Sequence, residues 1–310
     1  MTNFSNTFLN SLQKNKILLW LLILAITLLW GYAWVLMKAS LDYMGPFTFS
    51  AFRFGVGSLT LLLVMWLMKL GLPPRRYWKP IVIVGILQTS VVFLLVMYGL
   101  RFVDAGKSSV LLYSMPMWSS ILALKFLGEK ITPPKFTGLM IGMLGLLTIL
   151  GWDIWVGQNI EVIFGELLII IAAISWAISN VYYRINLQQL AKIQASAYQM
   201  LFGTIGIIIA ALVMEWNQPI VLNVHSIYYI LFTGVLASAL CFTVWFLILS
   251  LIDMVTATIS TLLVPMFGLV FSSLLLNEKM SAGVAVGSGM IIAGILIAQI
   301  TKKRGIHSHD

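Results

Sequence analysis

Ten nearly unbroken apolar runs, joined by short polar links, leave this chain few folds to adopt. They fall at about 17–37, 46–68, 78–100, 108–127, 134–151, 162–183, 193–214, 227–250, 256–276 and 282–300. Each is close to the roughly 20 residues a helix needs to cross the hydrocarbon core of a bilayer. The runs are continuous rather than alternating, which argues against the strands of a membrane β-barrel. Composition agrees: 60% of the 310 residues are hydrophobic and 9% are charged, against about 25% charged in soluble domains. The expectation is an all-α membrane protein of ten transmembrane helices, with no room for a separate soluble domain. The first run exceeds the apolar core of a signal peptide, about 7–15 residues, and no small-residue cleavage site follows it. It reads as a retained span.

The net charge of +9 would suggest nucleic acid in a soluble chain. Here the basic residues lie in the links between runs, where they set orientation, and no nucleic-acid partner is expected. With the N-terminus in the cytoplasm, fourteen of the nineteen Lys and Arg residues fall on that side and four on the other, with Arg53 inside a run. Both termini are therefore expected to be cytoplasmic. The single cysteine, Cys241, excludes an internal disulfide and a cysteine-rich metal site. His225, His307 and His309 all lie outside the runs. No metal and no cofactor is expected.

The chain is written twice. The stretch 110–130, VLLYSMPMWSSILALKFLGEK, returns at 259–279 as ISTLLVPMFGLVFSSLLLNEK. Pro116 precedes Glu129 by 13 residues, as Pro265 precedes Glu278. Trp30 and Trp176, Lys38 and Arg184, and Gly57 and Gly203 are each 146 residues apart. Gly85 and Gly234, Asp104 and Asp253, and Gly145 and Gly294 are each 149 apart. Similarity over nearly the whole length marks an internal duplication, with repeats at 1–151 and 152–310. Five spans per repeat is an odd number, so the second repeat must enter the membrane inverted. That 5+5 layout is common in secondary transporters, whose solute sites lie near the midplane between repeats.

Ten spans in a 5+5 repeat, the Trp30-Gly31 pair late in span 1 and the proline-then-glutamate pattern of spans 4 and 9 resemble the EamA family. That family belongs to the drug/metabolite transporter superfamily. The resemblance implies a carrier in the bacterial cytoplasmic membrane, usually an exporter of amino acids or related metabolites. It also implies a basket in which spans 1, 3, 4, 6, 8 and 9 surround a central cavity, with spans 5 and 10 outside.

Arg53 is the sharpest single signal. A charge at the bilayer centre costs about 2.5–3.5 kcal/mol on insertion scales. Its repeat equivalent is the neutral Gln199, so the fold does not demand a charge there. Arg53 is a candidate cation for a solute carboxylate; the alternatives are snorkelling to the interface or a bond to a neighbouring carbonyl. Trp30, Trp34, Gln88, Tyr98, Tyr113, Trp176, Asn180, Trp245 and Thr261 are the polar and aromatic candidates for a solute site. For each the alternative is an interhelical hydrogen bond. Pro116 and Pro265 free a backbone carbonyl one turn earlier, giving either a hinge or a fixed kink. Glu129 and Glu278, at opposite ends of the bundle, are expected to cap the following helix or to pair with a lysine across a gate. The glycines of spans 5 and 10, among them Gly138, Gly145, Gly287 and Gly294, suit close packing of the two repeats or of a homodimer; a monomer suffices.

The pattern points to a secondary carrier that moves a small anionic or zwitterionic metabolite by alternating access, with efflux of lipophilic or cationic drugs as the alternative. Expected partners are the solute and the lipid bilayer. An intramembrane enzyme would need a Ser/His pair, paired carboxylates or a metal cluster at membrane depth, and the runs hold none of these. A receptor or scaffold would be expected to carry a soluble signalling domain. Glu166, near one end of span 6, is the nearest approach to a proton-relay carboxylate. Downhill exchange or facilitated export fits such a chain better.

Overall fold

The structure is a computed structural model that describes residues 15–128, 131–154, 159–278 and 282–298. Glu129, Lys130, Trp155, Lys279 and the polar tail 301–310 lie outside those residues. The described chain is helical throughout: α1 (Lys16–Ser40), α2 (Pro46–Leu67), α3 (Arg75–Gly99), α4a (Ala105–Leu112), α4b (Met115–Leu127), α5 (Pro133–Ile154) and α6 (Ile160–Asn186). There follow α7 (Lys192–Met214), α8 (Val224–Leu251), α9a (Met254–Ser260), α9b (Leu263–Leu275) and α10 (Ala282–Ala298). Among the described residues eight helices, counting α4 and α9 each as one, are long and apolar enough to cross a membrane. Large apolar side chains such as Trp66, Leu63 and Val213 stand exposed on their outer faces. That is the reverse of a water-soluble bundle and suits a lipid solvent.

Helix ends are fastened according to what each end lacks. Asn15 caps α1, its side chain accepting from the Ile17 and Leu18 amides. Pro46 opens α2, where its missing N–H is no loss. The next two amides, of Phe47 and Thr48, donate to the Glu215 carboxylate at 2.9 and 2.7 Å. Glu215 follows α7, so this cap comes from the other half of the chain. Glu278 acts in the same way: its carboxylate accepts from Ala105 and Gly106 at the start of α4a, at 3.0 and 3.1 Å. The expectation for Glu278 is corrected in one respect. It caps a helix of the opposite half rather than the one that follows it, because α9b ends beside the start of α4a.

Contacts between the halves come in reciprocal pairs. α1 packs on α9 and α6 on α4; α3 packs on α7 and α2 on α8. A Cβ placed on Gly85 of α3 would meet the Gln199 carbonyl oxygen of α7 at 2.4 Å, and one on Gly234 of α8 would meet the Arg53 carbonyl oxygen of α2 at 2.7 Å. α5 and α10 meet through Gly145 against the Gly287 carbonyl and Gly294 against the Gly138 carbonyl, both at 2.5 Å. These glycines are used within one chain, so a homodimer is not needed to explain them. Within each half there is a matching bond as well: Lys38 Nζ at the end of α1 donates to the Leu100 and Val103 carbonyls at 2.6 and 3.0 Å. Its equivalent, Arg184 at the end of α6, donates to Ile252 at 2.9 Å. Reciprocity of this kind is what a two-fold relation between like surfaces produces.

α1 and α6 run in opposite directions. Val103 is bonded by Lys38 near the C-terminal end of α1, while a Cβ on Gly165, near the N-terminal end of α6, would stand 2.9 Å from its side chain. Arg184 lies nineteen residues further along α6 than Gly165, about 28 Å away at 1.5 Å per residue. Lys38 and Arg184 therefore fasten opposite ends of the bundle.

The regular helix is interrupted at matching places. α3 is wound as a π-helix over Gly85–Val91 and α8 over Phe232–Leu240. Such wide turns are frequent at functional sites. α4 breaks at Tyr113-Ser114 and α9 at Thr261-Leu262. Pro116 and Pro265 thus stand in the first turn of a second half-helix rather than within a continuous one.

Two outcomes test this packing. Gly85→Ala should lower the unfolding temperature in detergent through the loss of about 1–3 kcal/mol, while Gly71→Ala, with nothing within 4 Å of its Cβ, should change it little. Asp253 supplies the second. Burial works against its carboxylate, but bonds from Lys135 and Thr256 outweigh this and hold its pKa below the ordinary carboxylate value. The stability it contributes is therefore complete above about pH 4 and is lost as the pH falls through the lowered pKa. Asp253→Asn should melt below wild type at about pH 5–7, and the gap should close in more acid buffer.

Candidate functional site

Where α1, α2, α3, α4, α6 and α8 converge, aromatic side chains enclose one guanidinium. Trp30 and Trp176 meet edge to face with centroids 6.0 Å apart, and Phe93 and Phe242 lie 6.3 Å apart. The partners in each pair are repeat equivalents, so both pairs straddle the seam between halves. Tyr113 packs on Trp176, and Phe54 lies 4.4 Å from Phe93.

Arg53 points into this cluster from α2 and is 2% exposed. Its Nε donates to Ser238 Oγ at 2.9 Å and its Nη1 lies 2.9 Å from Met37 Sδ. The guanidinium carbon sits 4.8 and 4.6 Å from the centroids of Phe54 and Phe93. Among the described residues no carboxylate pairs with it. Desolvating an ion costs several kcal/mol. Each cation–π contact offsets about 0.5–2 kcal/mol, and a hydrogen bond to a charged group about 1.5–3 kcal/mol. The cation is held but not neutralised. At the equivalent place in the other half, Thr89 Oγ1 donates to Gln199 Oε1 at 2.8 Å. There a neutral amide takes the place of the guanidinium, with the bond reversed in direction and its Nε2 without a partner among the described residues, so the frame closes without a charge.

Arg53 lines a cavity with Trp30, Ala33, Trp34, Met37, Phe93, Leu112, Tyr113, Trp176 and Phe242. Its volume is about 20 Å³, room for a water but far below the roughly 300–1,000 Å³ of a metabolite site. The arrangement is closed around its centre. Trp30 Nε1 donates to the Ala237 carbonyl at 2.8 Å. Trp176, which also lines this cavity, has its Nε1 buried with no acceptor among the described residues.

Of the residues singled out from sequence, Arg53, Trp30, Trp34, Tyr113 and Trp176 share this cavity. Trp245 and Asn180 lie behind it: Trp245 packs on Trp30 and donates to Asn180 Oδ1 at 3.1 Å. Gln88 accepts from Ser179 at 3.0 Å between α3 and α6, an interhelical bond outside the cavity. Tyr98 stacks on Phe47 near the end of α3. Thr261 donates to the Thr258 carbonyl within α9. Glu166 is ion-paired with Lys107 at 2.6 Å, joining α6 to α4a. Phe93, Phe242, Met37 and Ser238 went unnoticed in the sequence. Phe93 and Phe242 are 149 residues apart, so the offset that paired the glycines would have found them.

The sequence profile of the EamA-like transporter family matches residues 17–151 and again 163–299. The uncharacterized transporter YoaV of Bacillus subtilis is 30% identical over 91% of this chain and 97% of its own length. A WAT1-related chloroplastic protein of Arabidopsis thaliana is 28% identical, covering 90% of this chain and 68% of its own. A solved crystal structure superposes with a TM-score of 0.75 at 17% identity, covering 94% of this chain and 98% of that one; this likeness concerns the fold alone.

The Arg53→Gln variant puts the Gln199 arrangement in both halves. It should fold and keep an unfolding temperature in detergent within about 3 °C of wild type or above it. A collapse of the folded state would show that the guanidinium is structural.

Proposed function

Since this chain belongs to the EamA-like transporter family, we propose that it is a secondary carrier that moves a small anionic or zwitterionic metabolite, of the amino-acid class, by alternating access. That it is a multi-pass membrane transporter follows from its family and its apolar helices. The finer reading is that α1–α5 and α6–α10 form two inverted five-helix repeats. The paired family matches, the reciprocal contacts and the opposed directions of α1 and α6 support it. Exchange of conformation between such repeats opens a central site first to one face and then to the other.

One observation carries the solute class: a buried cation, unpaired with any carboxylate among the described residues, at the seam where the repeats meet. An incoming carboxylate would supply the missing counter-charge and accept from Arg53 and Trp176. The surrounding rings would take an apolar side chain or, through their faces, an ammonium group. A cavity of only about 20 Å³ has to widen before it can hold such a solute. The Lys and Arg distribution supports cytoplasmic termini, and the resemblance to EamA exporters supports a bacterial cytoplasmic membrane and outward transport.

Purified protein in liposomes should show saturable counterflow of labelled amino acids or organic acids. Arg53→Gln should reduce that flux by about tenfold or more while the protein stays folded. Flux confined to quaternary ammonium dyes, or flux indifferent to Arg53, would sink the anionic reading and favour efflux of lipophilic cations.

A further inference from the structure

The geometry points to a second solute site, a vestibule at the Lys38 end of the bundle that takes a small zwitterion bearing both a carboxylate and an ammonium group. This rests on the transport reading above and extends it from the central cavity to the route that leads there. A pocket of about 200 Å³ opens among the α1–α2 turn, the start of the α3–α4a link and the α7–α8 link. Arg101 and Asp42 both line it. Both are exposed, and no ion pair joins them, so their charged groups are more than 4.0 Å apart. Arg101 rests over the Tyr98 ring, 5.4 Å from its centroid. Opposite charges that share a pocket without touching leave space for a molecule carrying the complementary pair.

The pocket is built from both halves and is held in shape. Val221 N donates to the Tyr43 carbonyl at 2.8 Å, tying the α7–α8 link to the α1–α2 turn. Glu215 clamps the first amides of α2. Gly45 fits so closely that a Cβ there would stand 2.3 Å from Glu215 Oε2 and 2.5 Å from Gln218 Oε1. The pocket lies past the end of α1, whose inner face lines the central cavity. Trp30, Ala33, Trp34 and Met37 of α1 line that cavity, and Leu41 and Met44, in the turn after α1, line the outer pocket. Leu41 lies four residues past Met37, about 6 Å along the axis. α1 thus spans the distance between the cavity that holds Arg53 and the pocket lined by Arg101.

The test needs no transport. The full-length protein is placed in nanodiscs of phosphatidylglycerol, which offers no ammonium headgroup. Phenylglyoxal modification of Arg101 is followed by peptide mass spectrometry, with the exposed Arg75 and Arg76 as internal references. Glycine and 4-aminobutyrate are the zwitterionic probes; acetate and methylammonium are the single-charge controls. Protection grows as one plus ligand concentration over Kd, so a zwitterion at about twice its Kd slows Arg101 labelling about threefold. Arg75 and Arg76 should be unaffected, and Asp42→Asn should remove the protection. Equal protection by acetate alone would reduce the pocket to an anion site, and no protection by any probe would remove it; either overturns the proposal. A parallel arm in phosphatidylethanolamine that protects Arg101 without added solute would assign the pocket to a lipid headgroup and overturn it as well. Failure of flux in liposomes, by contrast, bears on the central site alone.

Discussion

Everything at the centre of this bundle depends on how closely two pairs of helices approach. α3 meets α7 and α8 meets α2 at glycines whose neighbours leave no space for a methyl group. At that separation Ser238 reaches the guanidinium of Arg53, and Thr89 reaches the amide of Gln199. A larger residue at Gly85 or Gly234 would part the helices and lose these bonds. The π-wound turns at the same places re-aim the side chains that follow them, bringing Phe93 and Phe242 into the seam. Glycine contact, wide turn and aromatic pair form one connected cause. Arg53 is the residue whose solvation it determines.

Much of this was legible in the sequence, for identifiable reasons. Apolar runs of span length fix helices because a backbone in lipid must satisfy its own polar groups. The duplication was visible because glycines at close contacts tolerate no substitute, which kept Gly57 and Gly203, and Gly85 and Gly234, in register. Arg53 stood out because charge in a span is costly. Gln88 and Tyr98 carried the same polar or aromatic signal and yet stand outside the cavity. Residue type says that a group needs a partner but not where the partner lies. Glu215 gave no signal, since its role depends on α7 ending beside the start of α2, a juxtaposition that no local pattern encodes. The prolines were readable as interruptions. Their position in the first turn of a half-helix depended on where each helix broke.

The asymmetry laid on this symmetric frame carries the functional argument furthest. A perfectly duplicated chain would place the same residue at positions 53 and 199. Here one is an arginine that donates to Ser238 and the other a glutamine that accepts from Thr89, bonds at equivalent places but of opposite direction. The frame needs a donor–acceptor pair at both positions, and the chain adds a charge at one. One uncompensated cation attracts one anionic group; two, close to the same seam, would repel each other and raise the cost of an empty site. The single charge suits a carrier whose site is empty for part of each cycle.

Both ends of the bundle are fastened by the same kind of bond, Lys38 to the Leu100 and Val103 carbonyls and Arg184 to that of Ile252. A hydrogen bond from a charged donor contributes about 1.5–3 kcal/mol net, and each of these bonds stays within its own half. Between the halves the two ends differ: at the Lys38 end Glu215 holds the first amides of α2, Glu278 those of α4a, and Glu166 pairs with Lys107, while at the Arg184 end Lys135 pairs with Asp253. In the proposed carrier a solute's differential affinity has to offset that difference, since about 5.5 kcal/mol moves a two-state population from one extreme to the other. A far stronger lock at one end would hold the proposed carrier in a single form. The pair of α5 and α10, packed backbone to backbone through glycine, joins the two halves along one edge.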